Sequence, residues 1–180
     1  INKNVSNILD IGCGNAPIPL ILSTKTEAHI TGVEIQKEVF DLAVESVKIN
    51  NLEDRINIIN ADINELYKEL DTESFDIITC NPPFFKVKEN SNLNESEYKT
   101  IARHEVKLNL DDIVSIGRKL LKNNGNIAMV RRTDRLIDII TTMRKYNIEP
   151  KKIRFIYPKK NTESNIVLVE GTKNGNPGLK

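Results

Sequence analysis

A chain of 180 residues, 39% hydrophobic and 28% charged, carries enough apolar side chains for one domain with a core of its own. No run approaches the ~18 apolar residues of a membrane span. Residues 1–30 do not read as a signal peptide, and two cysteines, Cys13 and Cys80, are too few for a disulfide framework and match no zinc spacing.

The net charge of +1 hides an asymmetry: residues 1–80 hold six basic and fourteen acidic side chains, and residues 81–180 hold twenty and eleven. Between Ser115 and Lys160 the count is thirteen basic against three acidic. Such a block suits a polyanionic partner, although a solvated helix and loop surface has the same composition. Because the chain opens on Ile1 rather than Met, residues 1–180 are expected to be one domain that lacks an N-terminal segment. A monomer in the reducing cytoplasm, away from membranes, is the plain expectation.

In chain order, residues 7–11 predict a buried strand that ends in a glycine turn, and Pro17 falls at a first helical position, where a missing N–H costs nothing. Residues 29–35 predict a second strand, and 38–50 a helix with Val39, Ala43 and Val47 on one face. A third strand follows at 56–60 and a fourth at 75–80, halted by Asn81-Pro82-Pro83. Residues 86–105 are a long polar loop. A helix at 111–121 is closed by Asn123-Asn124-Gly125, a fifth strand spans 127–130, and a helix spans 135–146. Segments 154–157 and 166–169 read as strands with no helix between them, so they should pair antiparallel. The pattern is α/β and Rossmann-like: a mostly parallel seven-stranded sheet with one antiparallel strand, helices on both faces, and ligands outside the strand C-termini.

Asp10-Ile11-Gly12-Cys13-Gly14-Asn15-Ala16 sits where the first strand turns toward a helix. Glycines there let backbone approach a ligand closely. A dinucleotide fingerprint needs a third glycine where this chain has Pro17, and Asp10 would repel a pyrophosphate. The same carboxylate suits a cofactor with cationic groups and no phosphate, as S-adenosylmethionine has in its sulfonium and ammonium. Ala16 stands where a third glycine is common in such loops, and its methyl should tighten the pocket. Glu34 ends the second strand and can accept ribose hydroxyls, with Ile35 beside it. Asp62 follows the third strand and can accept from an adenine amino group, with Ile63 packed on the ring. Either acid alone is more often a loop or capping residue; three acids at three successive strand ends argue for a site.

Asn81-Pro82-Pro83-Phe84 is the most specific short motif. An aromatic exocyclic amine is a poor nucleophile because its lone pair is delocalised into the ring. Acceptors for both of its N–H groups, at the Asn81 side chain and the Pro82 carbonyl, would localise that lone pair, and the prolines would hold those acceptors in place. Phe84 offers a stacking face for an extruded base, worth about 1–3 kcal/mol. Two histidines and two distant cysteines support no metal site. Cys80 reads as a buried strand residue rather than a nucleophile.

These motifs resemble the bacterial adenine-N6 methyltransferases that act on adenine 37 of a valine tRNA, with their Gram-positive relatives. The resemblance runs from Asn7 to Lys180. It includes Asp10–Gly14 and Asn81–Phe84, together with Ala102-Arg103-His104-Glu105, Arg131-Arg132-Thr133-Asp134-Arg135, Arg154-Phe155-Ile156-Tyr157-Pro158 and Val167–Gly171. It implies a class I fold, S-adenosylmethionine as cofactor, and RNA, expected to be tRNA, as partner. Arg103, His104, Arg131, Arg132 and Arg135 are the expected RNA contacts, with Lys151, Lys152, Lys159 and Lys160 around them. Arg132 and Arg135 could instead pair with Asp134 and Asp138. Where family members often carry Tyr, this chain has Phe84, and the upstream segment that helps close the family's cofactor site is expected to be missing from residues 1–180. The loop motif is shared with guanine-N2 and protein glutamine-N5 methyltransferases, and a nucleic-acid-binding domain without activity is a third reading.

Overall fold

The computed structural model describes residues 5–81 and 108–179. Strands β1 (Asn7–Ile11), β2 (His29–Glu34), β3 (Ile56–Asn60), β4 (Phe75–Cys80), β5 (Leu121–Arg132), β6 (Ile148–Ile156) and β7 (Ile166–Lys173) form one sheet in the order β3-β2-β1-β4-β5-β7-β6. The first five are parallel where they pair, while β7 runs antiparallel to both β5 and β6. That matches the sheet expected from the strand and helix pattern.

Alternation along each strand divides the core between two faces. On one face Ile8, Ile30 and Ile56 pack with Ala43 and Val47 of helix α2 (Lys37–Ile49), next to α1 (Pro17–Ser23). On the other, Leu9, Ile11, Ile78, Ile127 and Val169 pack against α3 (Ile63–Leu66), α4 (Leu110–Leu120) and α5 (Leu136–Lys145). A reciprocal cap starts α4: the Asp112 N–H donates to the Asn109 side chain at 2.9 Å, and the Asn109 N–H to the Asp112 carboxylate at 3.4 Å.

Three strands run longer than their sequence pattern predicts. β5 begins directly at the end of α4, because Leu121 pairs with Phe75 and pairing resumes between Asn126 and Ile77. The expected helix stop at residues 123–125 is therefore a bulge inside a strand, with Asn124 at φ +62°. A Cβ at Gly125 would lie 3.0 Å from the Lys122 carbonyl and 3.1 Å from that of Asp76, so the bulge needs glycine. β6 starts at Ile148 and tolerates Pro150 because it is an edge strand, with β7 as its sheet neighbour. β7 continues to Lys173, whose ammonium is 1% exposed and donates to the Leu121 carbonyl at 2.6 Å and to Glu73 at 2.7 Å.

Candidate active site

β1, β2, β4 and β5 end together at one edge of the sheet. From Ile11 the chain turns through Gly12 and Gly14 at φ +68° and +57°. A Cβ at either glycine would meet nothing within 4 Å, so backbone conformation rather than crowding calls for glycine, and space stays open there for a ligand. The Gly12 and Cys13 N–H groups both donate to the Val33 carbonyl, at 2.9 and 3.0 Å, which ties the loop to β2. Ala16 also adopts left-handed backbone, φ +67°, and is fully buried. Its methyl lies in the core with Ile8 and Ile30 instead of tightening a pocket, and a glycine is common at such a position for its backbone.

Asp10 is 1% exposed. The register sets it opposite Thr79 of β4, whose hydroxyl donates to Oδ1 at 2.6 Å. The other oxygen, Oδ2, is buried with no hydrogen-bond partner among the described residues. Burial pushes the carboxyl up to about 7, outweighing the Thr79 hydrogen bond that lowers it. A buried acceptor without a donor costs about 1–3 kcal/mol. A cation brought to the glycine loop would supply what Oδ2 lacks, which fits a cofactor bearing ammonium and sulfonium groups. Thr79 carried no sequence signal, because its role depends on a register between two strands far apart in the chain.

Glu34 is 5% exposed at the end of β2. Its two oxygens accept the Gly14 N–H at 3.0 Å and the Gln36 N–H at 2.9 Å, so it braces the glycine loop from below. Each carboxylate oxygen keeps a second lone pair for a ligand hydroxyl. Ile35 is half-buried, and its carbonyl accepts from the Asn60 side chain at 3.2 Å. Asp62 caps α3 by accepting the Asn64 N–H at 2.9 Å, and Ile63 is a core residue at 4% exposure. Asn81 stands exposed immediately beyond β4, one residue past the Cys80–Ile11 pair and hence level with Gly12. Pro82, Pro83, Phe84, Arg103 and His104 lie outside the described residues.

Burial pushes the Cys13 and Cys80 thiols up to about 12, so neither is a nucleophile at neutral pH. The carboxylates of Asp10 and Glu34 both raise Cys13, while the Arg131 guanidinium acts on Cys80 in the opposite sense. Arg131 is thus placed next to the end of β4. Arg132 pairs with Asp134 at 3.0 Å and Arg135 with Asp138 at 2.8 Å, the local pairing that the sequence left open. On the Thr79 face a cleft of about 580 Å³ runs from Ile18 of α1 across Ala128, Val130 and Leu168 to Arg154. Among the described residues no group of three or more His, Cys, Asp or Glu could hold a metal, and no helix is long and apolar enough to cross a membrane.

The methyltransferase small domain family matches residues 1–146. A tRNA1(Val) (adenine(37)-N6)-methyltransferase from Flavobacterium psychrophilum is 29% identical over 175 residues, 97% of this chain and 73% of the relative. One from Porphyromonas gingivalis is 30% identical over 166 residues, 90% of this chain but 64% of the relative's length. Among solved structures, a predicted O-methyltransferase from Agrobacterium tumefaciens superposes with a TM-score of 0.77 at 18% identity, covering 99% of this chain and 79% of that one. A geranyl diphosphate C-methyltransferase from Streptomyces coelicolor, solved with S-adenosyl-L-homocysteine, superposes with a TM-score of 0.69 at 11% identity, covering 93% and 71%. The chain belongs to the methyltransferase small domain family and has the fold of the class I S-adenosylmethionine-dependent methyltransferases.

Proposed function

We propose that this chain transfers a methyl group from S-adenosylmethionine to the exocyclic amine of an adenine in tRNA. The observation that carries the cofactor half is the buried Asp10 carboxylate, with Oδ2 unpartnered at the glycine loop. Asp10 would hold the cationic end of the cofactor, and Glu34 would take the ribose while it continues to brace Gly14. Asp62 and Ile63, after β3, would take the adenine end. When bound, the cofactor supplies an electrophilic methyl on sulfur.

The acceptor half rests on Asn81 and the residues after it. The Asn81 side-chain oxygen and the Pro82 carbonyl accept the two amine N–H groups, and Phe84 stacks on the base. Attack of the amine on that methyl would break the methyl–sulfur bond and leave S-adenosylhomocysteine as the thioether product, with positioning by this chain's residues supplying most of the acceleration. The methylated ammonium is acidic enough to release its proton to water. The curated relatives are named for adenine in a tRNA, and the basic second half of this chain fits a polyanion better than a protein target.

The test is transfer of a labelled methyl group to unmodified tRNA, with a glutamine-bearing protein substrate in parallel. Label in tRNA supports the reading. Label in protein alone favours glutamine-N5 transfer, and cofactor binding without transfer to either favours a binding domain.

A further inference from the structure

At the active-site end of the sheet, Arg131 of β5, Val167 of β7 and Phe155 of β6 are successive cross-strand partners. Directly opposed residues of antiparallel strands share a face, so the row runs from Arg131, beside Cys80, to Phe155 at the sheet edge, two strand spacings or about 10 Å away. Val167 is fully buried, but Phe155 is 41% exposed and Tyr157, two residues on, is 59% exposed. Large apolar groups left open at a sheet edge need a reason.

The tip that carries them is held in place. Ser164 donates to the Ile156 carbonyl or the Ile166 carbonyl, each at 2.9 Å, and its hydroxyl lies 3.0 Å from that of Thr133. The Thr133 N–H donates to the Asn165 carbonyl at 3.2 Å. Thr162 ties itself to Lys159 with a hydrogen bond of 2.8 Å to the Lys159 carbonyl. Both aromatic residues therefore stand on a braced hairpin instead of a loose loop.

Cations flank the pair. Lys152 is neutralised by Glu170 at 2.9 Å, whereas Arg154, Lys159 and Lys160 have no ion pair with any described residue. From Arg154 to Lys160 the chain contains no acid. Exposed rings between unpaired cations form a surface for single-stranded nucleic acid: the rings stack on bases and the cations meet phosphates.

We infer that Phe155 and Tyr157 form a stacking platform for an unpaired base next to the target nucleotide, with Lys159 and Lys160 on the adjoining phosphates. This inference rests on the proposed RNA substrate and adds a second, sequence-tolerant hold on the strand outside the catalytic pocket. Stacking and phosphate contact differ in salt dependence, which makes the platform testable apart from the basic surface.

The experiment measures methyl transfer to an unmodified valine tRNA transcript, and binding of that transcript at several salt concentrations. The wild type is compared with a Phe155→Ala/Tyr157→Ala double variant, Tyr157→Phe and Tyr157→Ala. If the wild type methylates no RNA, the functional reading fails before the platform is in question. With an active wild type, the platform predicts RNA affinity about five- to a hundredfold weaker in the double variant, with an unchanged salt slope. Turnover at saturating RNA and affinity for S-adenosylhomocysteine should stay within twofold, and Tyr157→Phe should bind like the wild type. A transcript with an abasic ribose at the stacked nucleotide should bind both the wild type and the double variant equally weakly. Wild-type RNA affinity in the double variant would overturn the inference, as would a loss in Tyr157→Phe equal to that in Tyr157→Ala.

Discussion

Thr79 on β4 donates its hydroxyl to Asp10 on β1 at 2.6 Å, across a parallel register that sets the two residues side by side. The bond satisfies one carboxylate oxygen and leaves the other buried. Burial is the larger influence, so the carboxyl titrates near 7 rather than in the ordinary range.

A pH dependence follows. A folded-state value raised above the unfolded one stabilises the fold most at low pH, and that contribution is lost as pH rises from about 4 through about 7. Each unit of the shift corresponds to about 1.4 kcal/mol. Cofactor binding responds in the opposite sense, because a cationic ligand needs the ionised carboxylate. Calorimetric affinity for S-adenosylmethionine should rise between pH 6 and 8 in the wild type and stay low and flat in Asp10→Asn. Asp10→Asn should also unfold at no lower temperature than the wild type at pH 8, since it keeps an acceptor for Thr79 and removes a buried charge. Equal pH dependence in both proteins would refute the role of Asp10.

Glu34→Ala removes the acceptor for the Gly14 and Gln36 N–H groups at once. Hydrogen bonds to charged groups contribute about 1.5–3 kcal/mol each, so a loss of stability of about 3–6 kcal/mol is expected in chemical denaturation, with cofactor affinity falling as the loop loosens. Wild-type stability in this variant would show that Glu34 does not brace the loop.

Asn81 is exposed and outside the core, so its replacement should leave the fold intact. Asn81→Ala should lower turnover about a hundred- to a thousandfold, the scale of removing one preorganised polar contact to a developing charge, with little change in cofactor affinity. Near-normal turnover would mean that the amine is not activated at this position.

Arg132 and Arg135 are paired with Asp134 and Asp138, and Arg131 stands next to the end of β4. Replacing Arg131 and Arg132 by Ala should flatten the salt dependence of RNA binding by roughly one unit per lost phosphate contact. Asp134→Asn, which releases Arg132, should steepen it. An identical slope in wild type and the double variant would remove these arginines from the RNA surface.

The placement of the candidate site residues at strand ends was legible because those signals are local. Asp10 is the last residue but one of β1, Glu34 ends β2 and Asn81 follows β4, and Gly12 and Gly14 announce their turn. Pairings between distant residues were not legible. Thr79 gains its role only through the β1–β4 register, whereas the capping role of Asp62 is local and was already open in the sequence. The same limit governs the strand lengths: Leu121 belongs to β5 because it pairs with Phe75, while its own neighbourhood reads as a helix end. Phe155 looked like an ordinary strand residue until the register placed it in line with Arg131, and Tyr157 follows just beyond the strand.

The most direct test is nucleoside mass spectrometry of unmodified tRNA incubated with the protein and S-adenosylmethionine, beside the Asn81→Ala variant. The account predicts that N6-methyladenosine accumulates with the wild type and is reduced at least a hundredfold with the variant. Methylation on guanine, or an adenosine product formed equally by both proteins, would contradict it.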